Sequence, residues 1–209
     1  NVALAQDLQN KFGLQEAITY RLTSPEREVR AYVQGQSLDI ENYVRLLNPI
    51  APERSVMRQS LLASILEVLE KNARIRERLA FFEIGMEFIQ EQENSLPVEP
   101  RKLVIGMSGK RNNPSWDLQS SGNLDFFDLK GVLDGMLRKV HLQNVSYQST
   151  DHPSLHPGKC AQICVDDKVI GVFGELHPRV KQNFDFLTPA VYIAEIDLEA
   201  LLPIIPLRF

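Results

Sequence analysis

The segment that decides the fold runs from Asn48 to Phe88 and reads NPIAPERSVMRQSLLASILEVLEKNARIRERLAFFEIGMEF. An Asn-Pro turn opens it, and apolar residues then recur at helical spacing from about Arg58 to Arg74. After a basic turn, the side chains alternate with period two from Ala80 onward. The segment therefore predicts a long helix that leads through a short turn into a strand.

The two faces of this predicted strand carry different side chains. Apolar residues at every second position from Ala80 to Phe88 form one face, which should lie beneath helices that include the one from Arg58 to Arg74. The opposite face carries Glu83 and Glu87, a spacing that could also suit a carboxylate pair in acid–base chemistry. We interpret this face as the solvated side of the strand, as in antiparallel sheets with one face toward water.

The rest of the chain predicts strands interrupted by helices at irregular intervals, which favours an α+β domain over a doubly wound parallel sheet. The segment from Glu26 to Ile40 has little pattern and is predicted as loop with short strands. The clearest remaining elements are helices at Val2–Phe12, Asp125–Val140 and His177 to about Asn183, and strands at Glu16–Leu22, Lys102–Gly109, Lys159–Val165, Lys168–Glu175 and Val191–Asp197.

Bulk composition is ordinary for a globular domain. The chain has 209 residues, 44% hydrophobic and 24% charged, so a single core is the first expectation. The formal net charge is −4, which argues against a main RNA-gripping surface. Two cysteines and no long apolar run predict a cytoplasmic protein without a membrane span.

The sequence does not match the short motifs that bind nucleotides or metal ions. The run from Gly106 to Arg111 lacks the first glycine and the Ser/Thr of a P-loop. His152, His156, Cys160 and Cys164 are spaced four apart, but intervening prolines prevent a regular helix, and zinc-site spacings are missing. The sequence therefore predicts no catalytic, cofactor-binding or metal-ligating residue in this chain.

Three ordered motifs carry a family resemblance. Residues 1–22 combine a helix, Gly13 and a strand, residues 78–91 read RLAFFEIGMEFIQE, and residues 192–202 read YIAEIDLEALL. In this order the chain resembles the catalytic-like core domain of the β subunit of bacterial phenylalanyl-tRNA synthetase. The resemblance implies a class II aminoacyl-tRNA synthetase fold, with a mostly antiparallel β-sheet flanked by helices. It also implies a core domain over residues 1–202, with residues 203–209 beginning a linker to a further domain.

Departures from the catalytic class II motifs decide the expected function. Catalytic members place in the second motif an arginine that bridges the amino acid and the α-phosphate, where this chain has Ile89 and, nearby, Glu91. The third motif normally ends in Gly-x-Gly-x-Glu-Arg, but here Glu195 and Leu198 stand within AEIDLEAL. Aliphatic side chains cannot donate charge-assisted hydrogen bonds to a phosphate. We therefore expect a domain that does not make the adenylate.

The resemblance further implies a partner and a task. The family's holoenzyme is a heterotetramer of two α and two β subunits that joins phenylalanine to its tRNA with ATP and magnesium. This domain would bind no cofactor itself and would hold the α catalytic domain in an active geometry. The first class II motif lies at a subunit interface, so its helical row is the candidate docking stripe. The alternative is that the row folds back onto this domain's own sheet. The candidate interface residues are Leu4, Leu8 and Phe12.

Two other functions remain open from the sequence. A divergent ATP-dependent ligase would need arginines from outside the aligned motifs, and Arg58, Arg74 and Arg179 are the candidates. An RNA-binding module is disfavoured by the acidic balance and by the lack of interleaved basic and aromatic residues.

Overall fold

A seven-stranded sheet forms the centre of the fold. The structure is a computed structural model that describes residues 2–34, 42–91, 95–113 and 122–206. The strand order is β1-β4-β5-β9-β8-β7-β6, and only the β1–β4 pair is parallel. A separate two-stranded sheet pairs β2 with β3. The strands are β1 Gln15–Glu16, β2 Leu22–Thr23, β3 Val56–Met57, β4 Arg78–Met86, β5 Arg101–Gly109, β6 Val145–Ser149, β7 Leu155–Val165, β8 Lys168–Leu176 and β9 Val191–Asp197.

Helices cover both faces of this sheet, so the predicted α+β class with a mostly antiparallel sheet is confirmed. Short 3-10 helices also occur at Pro52–Arg54 and Leu202–Ile204. Within the described residues, none of the helices has the length and apolar character that would cross a bilayer. The α-helices are α1 Val2–Phe12, α2 Pro25–Val29, α3 Leu62–Asn72, α4 Phe126–Lys139, α5 Pro178–Lys181 and α6 Leu198–Leu201.

Several local predictions differ from the structure. The strand predicted from Glu16 to Leu22 pairs only at its two ends, as β1 and β2. The segment predicted as loop after Ser24 instead begins with α2, whose Pro25 occupies the first turn, where its missing N–H is not needed. Part of that predicted loop, residues 35–40, lies outside the described residues, and so does the end of the predicted linker, 207–209.

Helix α1 has the predicted bounds and packs within the chain. Gly13 ends it with a φ of +63°, a conformation that glycine adopts without steric cost. Leu8 is 0% exposed in the core formed with α4, and Leu4 and Phe12 are half-buried against the same core. Phe12 lies over Gly135 of α4, where a Cβ would come within 2.4 Å of the ring.

The docking prediction is therefore wrong for Leu8, because its side chain is enclosed by this domain's own core. The row folds back as in the alternative, and the small surface of Gly135 is what lets the two helices approach. Leu4 and Phe12 keep part of their surface exposed. Their contribution to a subunit interface stays a prediction.

The sheet separates two cores, and this overturns the predicted position of the long helix. On one face, Phe82 packs with residues of α1 and α4. On the other, Phe81 packs with Ile65 and Leu69 of α3. The helix thus covers the face opposite to the one predicted. Both faces of β4 are buried by helices, so the period-two pattern could not indicate which helix lies on which face.

Candidate functional site

A cleft of about 430 Å³ opens on the α3 side of the sheet, beside the ends of β4, β5 and β9. Residues after α2 and before β7 close it from other sides. Its volume falls in the range of about 300–1,000 Å³ that is usual for small-molecule sites. The polar side chains that line it include Tyr32, Ser60, Glu87, Lys102, Asp151, His152, Gln162, Glu195 and Asp197.

Glu195 lines the cleft from β9, the strand that lies between β5 and β8. The register of the sheet places it opposite Val104 on one side and Val172 on the other. Its carboxylate lies 3.4 Å from Oγ of Ser60 and 3.7 Å from Nε2 of His152. Burial raises the pKa of Glu195 to about 6, although Lys102 and Ser60 act in the opposite direction.

Glu87 follows β4 directly and is only 7% exposed. Among the described residues it forms no ion pair within 4.0 Å. Burial and the nearby charge of Glu195 raise the pKa of Glu87 to about 8, against the weaker effects of Lys102 and the Leu61 backbone N–H. Glu87 is therefore a buried carboxyl group that faces a cavity without a cation of its own.

Lys102 is already committed to another carboxylate. Its Nζ lies 2.9 Å from Oδ2 of Asp197, which also caps α6 by accepting from the backbone N–H groups of Glu199 and Ala200. Burial opposes ionisation of Asp197, but these hydrogen bonds outweigh it, and the pKa of Asp197 lies below its ordinary value. The Lys102 ammonium therefore neutralises Asp197 first and Glu87 only from a distance.

Arg58, which precedes the lining residues Gln59 and Ser60 in the chain, forms a buried ion pair that the sequence did not predict. Nη1 of Arg58 lies 2.7 Å from Oε1 of Glu83, and Arg58 also donates to the Met86 carbonyl and to Thr19. Gly85 makes room for it, since a Cβ there would lie 2.2 Å from Nη2 of Arg58. The prediction that Glu83 and Glu87 form a solvated face is wrong, because α3 and its approach cover that side of β4.

The four positions predicted as degenerate motif residues do not lie together. Glu195 lines the cleft. Ile89 is 36% exposed and forms an antiparallel bridge with Val98, and Glu91 is exposed. Leu198 is fully buried in the core on the α4 side. Leu198 thus fills no space in the cleft, and the predicted correspondence of Ile89 and Glu91 to catalytic positions stays a prediction.

Sequence reasoning missed most of the residues that line the cleft. Glu87, Lys102 and His152 come from three separate parts of the chain, and only the strand order brings them together. One signal was available: Glu83 and Glu87 share a strand face with Phe81, a large aromatic residue that rarely marks a fully solvated side. The sequence around His152 has no helical or zinc-site spacing that would have identified this residue.

Known proteins resemble the chain over nearly its whole length. Residues 3–198 match the family described as the phenylalanyl-tRNA synthetase beta chain CLM domain. The chain is 36% identical over 199 residues to the phenylalanine–tRNA ligase beta subunit of Clostridium acetobutylicum, covering 94% of this chain and 23% of that protein. It is 36% identical over 200 residues to the same subunit of Vibrio cholerae, covering 94% of this chain and 24% of that protein.

Solved structures and the sequence match agree on the fold. The pyrrolysyl-tRNA synthetase of Desulfitobacterium hafniense is similar with a TM-score of 0.72 at 13% identity, over 96% of this chain and 66% of that chain. That likeness confirms the predicted class II synthetase fold. The chain spans about a quarter of the length of the curated relatives named above. With the family match over residues 3–198, this chain belongs to the family of phenylalanyl-tRNA synthetase beta chain CLM domains.

Proposed function

We propose that this chain is a non-catalytic, architectural domain of a cytoplasmic phenylalanine–tRNA ligase β subunit. It pairs with a catalytic α subunit, and that complex attaches phenylalanine to tRNA with ATP and magnesium. Membership of the beta chain CLM family supports the assignment to a β subunit. The charge of the cleft supports the non-catalytic role, and it is the observation that carries this proposal.

The cleft does not fit the triphosphate of ATP. Glu87, Asp151, Glu195 and Asp197 line it, and Lys102 is the one Lys or Arg side chain among its lining residues. Phosphoryl chemistry needs positive charge and hydrogen-bond donors aimed at the phosphate oxygens. Here the carboxylates would repel a triphosphate, and the single ammonium is already paired with Asp197. Adenylate formation in this cleft is therefore disfavoured by its own side chains.

The three arginines that a divergent ligase would need also lie elsewhere. Arg58 is buried in its pair with Glu83. Arg74 pairs with Asp185, and both side chains are well exposed. Arg179 is exposed in α5. Since none of the three lines the cleft, the ligase alternative loses its candidate phosphate-binding groups.

A substitution in the cleft tests the non-catalytic role. We would reconstitute the α and full-length β subunits and measure ATP–pyrophosphate exchange with phenylalanine before and after Lys102→Ala. If the cleft is catalytically silent, the rate stays within about twofold, less than the tenfold that about 1.4 kcal/mol of transition-state stabilisation represents. Size-exclusion chromatography checks that the complex remains assembled.

Two results would contradict the proposal. A loss of exchange of tenfold or more in the assembled Lys102→Ala complex, on the order of 1.4 kcal/mol, would place chemistry in this cleft. Failure of the full-length β subunit to co-purify with α would remove the pairing role.

A further inference from the structure

The cleft contains a carboxyl group, Glu87, that is more than nine-tenths buried and has no cation of its own. We propose that the cleft is a binding site for a small organic cation, an alkylammonium whose charge lies between Glu87 and Glu195. Binding of this cation would be a further property of the domain, and it does not depend on the pairing of the domain with α.

The balance of charge in the cleft points to a cation. Four carboxyl groups line it, those of Glu87, Asp151, Glu195 and Asp197, against the single ammonium of Lys102. That ammonium lies 2.9 Å from Asp197, so it leaves the other carboxylates under-compensated. Ionisation of a buried carboxyl group is costly without a counter-charge, and a bound ammonium would supply that charge together with hydrogen-bond donors.

The donor set fits an organic cation better than a metal ion. Within the described ranges, the His, Cys, Asp and Glu side chains do not gather in threes at the spacing that would hold a metal. The hydroxyl of Ser60 and the amide of Gln162 add hydrogen-bonding groups to the wall. Val169 and Val172 of β8 line the same cleft and offer apolar surface to a short alkyl chain. A ligand with an ammonium head and an aliphatic tail matches both kinds of wall.

Binding should release a proton, which gives the proposal a specific signature. The raised pKa of Glu87, about 8, means that the carboxyl group is mostly protonated at neutral pH and must ionise to face an ammonium. An alkylammonium keeps its own charge to a pKa of about 10.4, like a lysine side chain. Affinity should therefore rise with pH until about pH 8 and then level off. The other titratable or charged groups that line the cleft or act on Glu87 are Glu28, Tyr32, Lys102, Asp151, His152, Glu195 and Asp197.

Calorimetric titration of the full-length protein that contains this chain tests the proposal, with n-pentylammonium chloride as the probe and 1-pentanol as its neutral counterpart. We expect saturable binding of the ammonium, at least about tenfold weaker in Glu87→Gln and in Glu195→Gln, because each loses a charged partner. Glu199→Gln is the matched control, since Glu199 is exposed, pairs with Arg101 and does not line the cleft. Circular dichroism verifies the fold of each variant.

Each outcome decides the question. No saturable heat with the ammonium, equal binding of 1-pentanol, or unchanged affinity in a folded Glu87→Gln variant would overturn the site. If Glu87→Gln does not fold, titration of the wild-type protein in two buffers of different ionisation enthalpy measures proton release directly. Release at pH 7 that disappears above about pH 9 supports the site, and its absence overturns it.

Discussion

Arg58 and Glu83 form an ion pair in the interior, with Nη1 of the arginine 2.7 Å from Oε1 of the glutamate and the two side chains only 3% and 4% exposed. Thr19 connects them, since it accepts from Arg58 at 2.9 Å and donates to Glu83 at 2.7 Å. The pair thus joins the segment after β1, the approach to α3 and the strand β4. Its contribution follows from burial, because a charge left alone at this depth has no water to solvate it.

Glu83→Gln should therefore destabilise the protein strongly. The substitution keeps the size of the side chain but leaves the Arg58 guanidinium without a counter-charge, at a cost of about 3–5 kcal/mol. Urea denaturation followed by circular dichroism measures the loss. The control is Asp185→Asn, which breaks the exposed pair with Arg74 and should cost about 0–1 kcal/mol. Equal losses for the two variants would show that the buried Arg58–Glu83 pair stabilises the protein no more than an exposed pair does.

Local patterns predicted those elements whose own residues determine them. The bounds of α1 and β9 match the predicted Val2–Phe12 and Val191–Asp197. Asp166 and Asp167, the two residues between the predicted strands Lys159–Val165 and Lys168–Glu175, turn the β7–β8 hairpin with positive φ angles. In each case neighbouring residues carry the signal: the helical spacing, the apolar strand, or a two-residue turn that needs left-handed backbone. The fold class followed from these elements.

The cleft could not be predicted in this way, because its residues meet only through tertiary pairing. Glu83 and Glu87 look like the solvated face of a strand until α3 is known to cover that face. Likewise, the apolar row of α1 resembles a docking stripe until the structure shows that Phe12 packs over Gly135 of α4. Burial of a charged or apolar side chain depends on which helix packs against it, and helical or strand periodicity does not contain that information.

Phe82→Ala tests the core on the α1 and α4 side. Phe82 lies on β4 and is 0% exposed, so truncation removes its transfer free energy and leaves a cavity, for a loss of about 3–5 kcal/mol. Phe127→Ala is the matched control, because Phe127 is 73% exposed and contacts Phe126 only edge-on, and we expect a loss below about 1 kcal/mol. Urea denaturation measures both, and a loss below about 1 kcal/mol for Phe82→Ala would contradict the core assignment.

Leu8→Asp should unfold the isolated chain, because it places an unpaired carboxylate in the core beside α4. The comparison is Val2→Asp on the same helix, where the side chain is 73% exposed and a negative charge near the helix N-terminus is mildly favourable. Far-ultraviolet circular dichroism distinguishes the two variants. A folded Leu8→Asp chain would mean that α1 can detach from this core, and the docking role predicted for its row would regain support.

Glu87 should make the protein less stable as the pH rises above neutrality. The pKa of its carboxyl group is raised from 4.5 to about 8 in the folded state, so the folded chain binds the proton more tightly than the unfolded chain. The stabilisation is fully present below about pH 4.5 and is lost as the pH rises through about 8. Burial also raises the pKa of Glu28 to about 7 and that of Glu195 to about 6, so their losses end at lower pH. The pKa values of His152 and His177 are lowered, which confines their opposite effect to pH below about 6.5.

Between pH 7 and pH 8 Glu87 is therefore the main contributor among these groups, while Glu28 completes its own titration there. In wild type the free energy of unfolding should fall there with a slope on the order of 1 kcal/mol per pH unit, and Glu87→Gln should remove most of that slope because its amide does not titrate. Urea denaturation at several pH values, with Glu199→Gln as the exposed control, measures both slopes. A Glu87→Gln slope equal to wild type would mean that Glu87 is already ionised at neutral pH, and that another group balances its charge inside the cleft.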